Sequence, residues 1–283
     1  ADSEFGQEMR HEKNKQVSTG PIPSSTSNFS RDTDAATYDY AGTLGSKCYP
    51  MPKVDVTAEF KYKYGFRDYT VNRHQVTGDI INGYRAFLDS ISYTSYNPIV
   101  MFNFKPFKWL AYNFRYAYDT TIYGIKTRVA PADQIASYKA NIYSTGATFT
   151  PSDALYLTCY YQYKQARTQT PASDLEKPVR YPLYNANVHA LSTSCSFSPV
   201  KTTTITGSYS FSLADNFDDF AKITLPLGLD NFSQDASVTL ENNITKDMSL
   251  EFKYDFMQYA ETSNNGLDNY TAHAFYTALK AKF

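Results

Sequence analysis

Asp215, Asp218, Asp219 and Asp230 place four carboxylates in one short stretch. Oxygen donors at such spacing can hold a calcium ion. No calcium-loop motif accompanies them, so a solvated acidic loop is the simpler expectation and calcium the alternative. The only histidines are His11, His74, His189 and His273. A hydrolase needs one of them beside a serine and an orienting group, and nothing in the sequence groups them that way. Cys48, Cys159 and Cys195 lie far apart. Without a C-x-x-C or C-x-x-C-H run they offer neither a zinc ribbon nor covalent haem attachment, and an odd count leaves at least one thiol unpaired within the chain. No catalytic group and no cofactor is therefore expected. A net charge of −1 gives no basic patch for nucleic acid.

The remaining chemistry is a set of charges recurring at every second residue. Val54 to Phe66 reads V-D-V-T-A-E-F-K-Y-K-Y-G-F, with Val54, Val56, Ala58, Phe60, Tyr62, Tyr64 and Phe66 alternating against Asp55, Thr57, Glu59, Lys61, Lys63 and Gly65. A helix would scatter the apolar residues around its circumference, whereas a strand puts them all on one side and the charges on the other. At about 3.3 Å per residue and a tilt of about 40°, such a strand rises about 30 Å, enough to cross the apolar band of an outer membrane. The same reasoning along the chain makes Asp55, Glu59, Lys61, Lys63, Arg115, Asp119, Lys139, Lys164, Glu251, Lys253, Asp255, Lys280 and Lys282 the inward, wet side of a barrel. They either line a water-filled pore that sorts solutes by charge or pair across strands inside a plugged barrel.

The elements that would carry these residues are hairpins. Tyr38, Tyr40 and Leu44 alternate up to Tyr49-Pro50-Met51-Pro52-Lys53, which turns the chain into Val54. Tyr96, Val100, Phe102 and Phe104 lead to Lys105-Pro106-Phe107-Lys108 and then to Leu110, Tyr112, Phe114, Tyr116 and Tyr118. Further tight turns are expected at Pro151-Ser152-Asp153, Ser198-Pro199-Val200-Lys201 and Thr245-Lys246-Asp247, with Tyr138, Ala140 and Ile142 on one face of the strand entering the first of these. The connections between hairpins are longer and more polar. Tight turns at one end and long loops at the other is the construction of an outer-membrane barrel, and a soluble β-sandwich does not reproduce that asymmetry. Mean hydropathy of −0.48 does not argue against it, because a barrel averages an apolar outside with a wet inside. The abundance of Tyr (26) and Phe (19) over a single Trp suits strands whose rings meet a bilayer rim. Gly65, Gly146 and Gly207 lie inside strands and are read as bends or close contacts.

Residues 1–34 are expected as a polar N-terminal segment, with a first strand over Phe5 to Val17 and a loop from Ser18 to Asp34; residues 35–283 form the barrel. Ala1 to Gln16 carries no signal peptide, which leaves a removed leader or a longer parent chain open. The prediction is an all-β, antiparallel up-and-down transmembrane β-barrel of about 12 strands, more if the sequence is truncated.

From Ala36 to its end the chain resembles bacterial outer-membrane β-barrels, porins among them. Phe275, Leu279 and Phe283 lie on one side of an alternating last strand that ends on an aromatic. That resemblance implies a C-terminal assembly signal read by the barrel assembly machinery, residence in outer-membrane lipid and, as a porin habit, homo-oligomers. The function expected is a passive porin-like channel for small hydrophilic solutes. A weaker resemblance, carried by Tyr-rich hairpins with S-P or T-P turns, is to the barrel of porin-cytochrome electron conduits, which implies a sheath around a periplasmic multihaem cytochrome. A structural or surface-binding barrel is the remaining alternative.

Overall fold

In a computed structural model, which describes residues 2–19, 26–77, 88–127, 134–169, 184–215, 218–220, 225–227, 230–261 and 267–281, the long strands pair antiparallel, each with the next long strand in sequence. The strands are β1 (Asp2–Thr19), β2 (Thr26–Met51), β3 (Val54–Thr77), β4 (Leu88–Phe107), β5 (Leu110–Thr127), β6 (Gln134–Ser152) and β7 (Leu155–Gln169). They continue with β8 (Tyr184–Val200), β9 (Thr203–Asp215), β12 (Asn231–Asn243), β13 (Met248–Glu261) and β14 (Tyr270–Ala281). Together these make one 12-stranded meander. Two short strands, β10 (Asp218–Phe220) and β11 (Leu225–Leu227), form a separate hairpin in the connection between β9 and β12.

The tight turns all fall at one end. Pro52-Lys53, Lys108-Trp109, Asp153-Ala154 and Lys201-Thr202 each reverse the chain within two residues, and the four residues Ile244 to Asp247 reverse it between β12 and β13. Backbone bonds tie each turn to the next hairpin. Lys105 N–H donates to the Lys53 carbonyl at 2.8 Å, Thr150 to Trp109 at 2.7 Å, Ser198 to Ala154 at 2.8 Å and Asn243 to Thr202 at 2.7 Å. These bonds occupy carbonyls that would otherwise stand free at the sheet rim. Lys53 adopts a left-handed φ of 75°, where its Nζ donates to the Pro106 carbonyl at 2.6 Å.

Thr26 to Asp34, expected as loop, is strand, and β1 is longer than Phe5 to Val17. Ser, Thr, Asn and Asp there read as turn formers, but the ladder to β1 and to the far end of β3 pairs their backbone. Alternation is lost because this part lies far from the tight turns, beyond the reach of the apolar band.

Register divides the side chains into two faces. Residues directly opposite in a ladder point the same way, so the partners of Phe60 and Tyr62 can be followed from strand to strand. One face carries Leu44, Phe60, Val100, Phe114, Leu157, Leu213, Val238, Phe252 and Leu279, all exposed. The other carries nearly all the tightly packed small residues, including Ala117 (0% exposed), Ala140, Ser144 and Ala166. Large apolar side chains in the open and alanines packed away mark a sheet curled with its polar face inside. That is the reverse of a soluble core.

Candidate functional site

The inner face is built by the odd-numbered residues of β3, whose partners keep that side through the whole sheet. Asp55, Glu59, Lys61 and Lys63 of β3 share it with Arg115 and Asp119 of β5 and Lys164 of β7. Continuing through β8, β9 and β12, the same face takes in Glu251, Lys253 and Asp255 of β13 and Lys280 of β14. Lys139 does not join them. It is opposite Thr120 and Arg167, on the side of Tyr116 and Tyr163. The reason is packing: β6 turns Ala140, Ile142, Ser144 and Gly146 inward, where crowding favours small residues, and Tyr143 and Phe149 outward. Lys282 and Phe283 lie outside the described residues.

Several of the inner charges are paired. Lys253 Nζ sits 2.8 Å from Asp255 and over the Tyr276 ring, Lys61 is 3.5 Å from Glu59, and Lys47 is 3.7 Å from Asp55. Lys280 reaches Glu251 across the β13–β14 ladder. Asn103 donates to the Asp55 carboxylate at 2.6 Å. Lys63, Arg115 and Lys164 make no ion pair among the described residues, and Lys164 lies over the Tyr138 ring. Exposed pairs of this kind add little stability, so their main effect is on the field along the wall.

The opposite wall does not stand out in the sequence. Across β8, β9 and β12 the inner face is a grid of hydroxyls, with Ser194, Ser208 and Ser237 in one row and Ser196, Thr206 and Thr239 in the next. Ser208 and Ser237 hydroxyls are 2.7 Å apart, and Ser210 donates to Asp235 at 3.3 Å. The available signal was alternate serine within Leu191–Phe197 and Gly207–Leu213.

On the outer face, rings fill the apolar band and their hydroxyls take side-chain partners on that same face. Tyr116 donates to Asn141 at 2.8 Å, Tyr163 to Asn187 at 3.3 Å and Tyr209 to Gln234 at 3.2 Å. Tyr161 and Tyr254 pair with His189 and His273 in the same belt, at 2.7 and 2.8 Å. Thus these two histidines face outward, hydrogen-bonded to tyrosines. In the described strands the charges on this face, among them Asp68, Lys139, Arg167 and Asp215, all lie toward the long loops. Roughly a dozen residues of strand separate them from the tight turns, about 25–30 Å after tilt. Phe275 and Leu279 lie on the same outer face, 78% and 61% exposed. Asp215 closes β9 and Asp230 precedes β12, while the side chains of Asp218 and Asp219 lie outside the described residues. Among the described residues no three metal-binding side chains come together.

An apolar band of bilayer thickness around a polar inner wall has only lipid to bury it. The chain has the fold of a bacterial outer-membrane β-barrel. An outer membrane is the setting that such an all-strand apolar band fits. Solved structures of similar fold include the transport unit of the autotransporter AIDA-I from Escherichia coli, at TM-score 0.40 and 10% identity over 99% of this chain and 88% of that one. The β domain of the Bordetella autotransporter BrkA gives TM-score 0.34 and 11% identity, covering 99% of each chain. The NanC porin gives 0.31 and 13%, over 87% of this chain and 99% of that one. No family model matches the sequence, and no curated protein does.

Proposed function

We propose that the barrel is a passive channel for small hydrophilic solutes, with Asp55, Glu59, Lys61, Lys63, Arg115, Asp119, Lys164, Glu251, Lys253, Asp255 and Lys280 along its lumen. The observation that carries this reading is the register: a single face collects charges of both signs on one arc and hydroxyls on the other. Small serines on β8, β9 and β12 leave room beside that wall, and hydroxyls can exchange hydrogen bonds with a passing solute without binding it tightly. In the same reading Phe275 and Leu279 form part of the signal by which the last strand is recognised during assembly.

Reconstitution into planar bilayers tests it. The protein should give discrete conductance steps, and Lys63→Glu with Arg115→Glu should move the reversal potential toward cations, because both act on unpaired positive charge at the wall. Folded protein that inserts and gives no steps would overturn the channel and leave a closed barrel.

A further inference from the structure

The outer face holds a pair of opposed cations that a pore does not need. Lys139 lies directly opposite Arg167 in the β6–β7 ladder, just beyond the amides of Asn141 and Gln165. Cross-strand partners have Cβ atoms about 5 Å apart, and like charges so placed repel. Both side chains are exposed, and neither forms an ion pair with a carboxylate among the described residues. The Tyr116 hydroxyl donates to Asn141 Oδ1 at 2.8 Å, which leaves the Asn141 NH2 group as a donor. Directly below, toward the tight turns, Tyr143 and Phe114 are exposed and apolar, 41% and 48%.

Two opposed cations with amide donors beneath them, above the ring-lined part of the wall and below Ile122 and Ile135, match an anion that carries acyl chains. We propose that Lys139 and Arg167 bind the phosphate of an outer-leaflet lipid. The guanidinium takes two phosphate oxygens in its fork, the ammonium supplies a point charge, and the acyl chains run down over Tyr143 and Phe114. Tight turns are periplasmic in such barrels, so the pair stands about 30 Å away, at outer-leaflet headgroup depth. A free phosphate would gain nothing from the rings below, and so the occupant is a lipid.

The inference rests on the outward assignment of this face, which the Phe252→Arg variant below tests separately: if the assignment fails that variant assembles, whereas if only the phosphate site fails it does not. The full chain, folded in an uncharged detergent, is mixed with lipid A or phosphatidylethanolamine, and retained lipid is counted by native mass spectrometry. Wild type should retain lipid A at about a tenfold lower concentration than phosphatidylethanolamine. Lys139→Gln with Arg167→Gln should lose that preference while keeping the heat-modifiable mobility of a folded barrel, and Lys139→Arg with Arg167→Lys should keep it. Equal retention of lipid A by the Gln pair, or displacement of lipid A by equimolar inorganic phosphate, would overturn the proposal.

Discussion

Phe252→Arg should stop the chain from reaching its folded, heat-modifiable form, while Lys253→Ala at the next residue should reach it in wild-type yield. The two side chains leave β13 in opposite directions. Phe252 lies opposite Leu240 and Thr277 on the outer face, 46% exposed to whatever surrounds the barrel. Lys253 points inward, over Tyr276 and beside Asp255. Four residues beyond Met248, Phe252 sits about 10 Å above the turn, well inside the apolar band, too deep for an arginine to reach water easily. A guanidinium facing lipid there costs about 2–4 kcal/mol, a large share of a stability of about 5–15 kcal/mol. Removing Lys253 instead takes a charge from water. Leu250→Arg, closer to the turn, should be defective to a smaller degree, because the cost falls toward the interface. The measurement is the fraction of chain showing the folded mobility after refolding into vesicles. Equal yields for all three variants would sink the assignment of the faces.

The contrast between these neighbours was legible in the sequence because β13 alternates bulk with charge: Leu250, Phe252, Tyr254 and Phe256 against Glu251, Lys253 and Asp255. The same holds for β3, whose alternation from Val54 to Phe66 is the one the register shows. In β6 the rule breaks down. Ala140, Ile142 and Gly146 look as apolar as Tyr143, Ala147 and Phe149, so hydrophobicity alone leaves the parity of the strand open and Lys139 was expected inside. Pairing settles it, since Tyr143 must face the side of Tyr116 and Tyr163. The hydroxyl wall was hidden for a related reason. Serine carries weak strand preference and reads as loop, and only the alignment of Ser194 with Ser208 and Ser237 turns scattered serines into a surface. Long range pairing likewise makes strand out of Thr26 to Asp34, where local turn chemistry points the other way.

Gly65→Ala should destabilise the barrel by about 1–3 kcal/mol, and the loss should shrink sharply when Tyr93 is also Ala. Gly65 faces inward between Asp39 and Tyr93 in the ladder. A Cβ built there falls 2.1 Å from Tyr93 Cε1, 2.5 Å from Cζ and 2.6 Å from Asp39 Oδ1. None of these distances is compatible with contact, so the ring must leave the glycine. It is not free to do so at no cost. Its hydroxyl donates to Asp39 Oδ1 at 2.9 Å, and its ring centroid lies 6.2 Å from that of Tyr123. An aromatic ring laid over a strand glycine covers backbone that would otherwise be bare, which is why the pair is worth keeping together. Losing the hydrogen bond and the cover accounts for the expected magnitude. If the clash with Tyr93 is the cause, Tyr93→Ala removes it, and the double variant should be little less stable than Tyr93→Ala alone. Urea unfolding midpoints of the four proteins in lipid vesicles give the coupling. Purely additive losses would place the cost in the strand backbone and not in the Asp39–Gly65–Tyr93 packing.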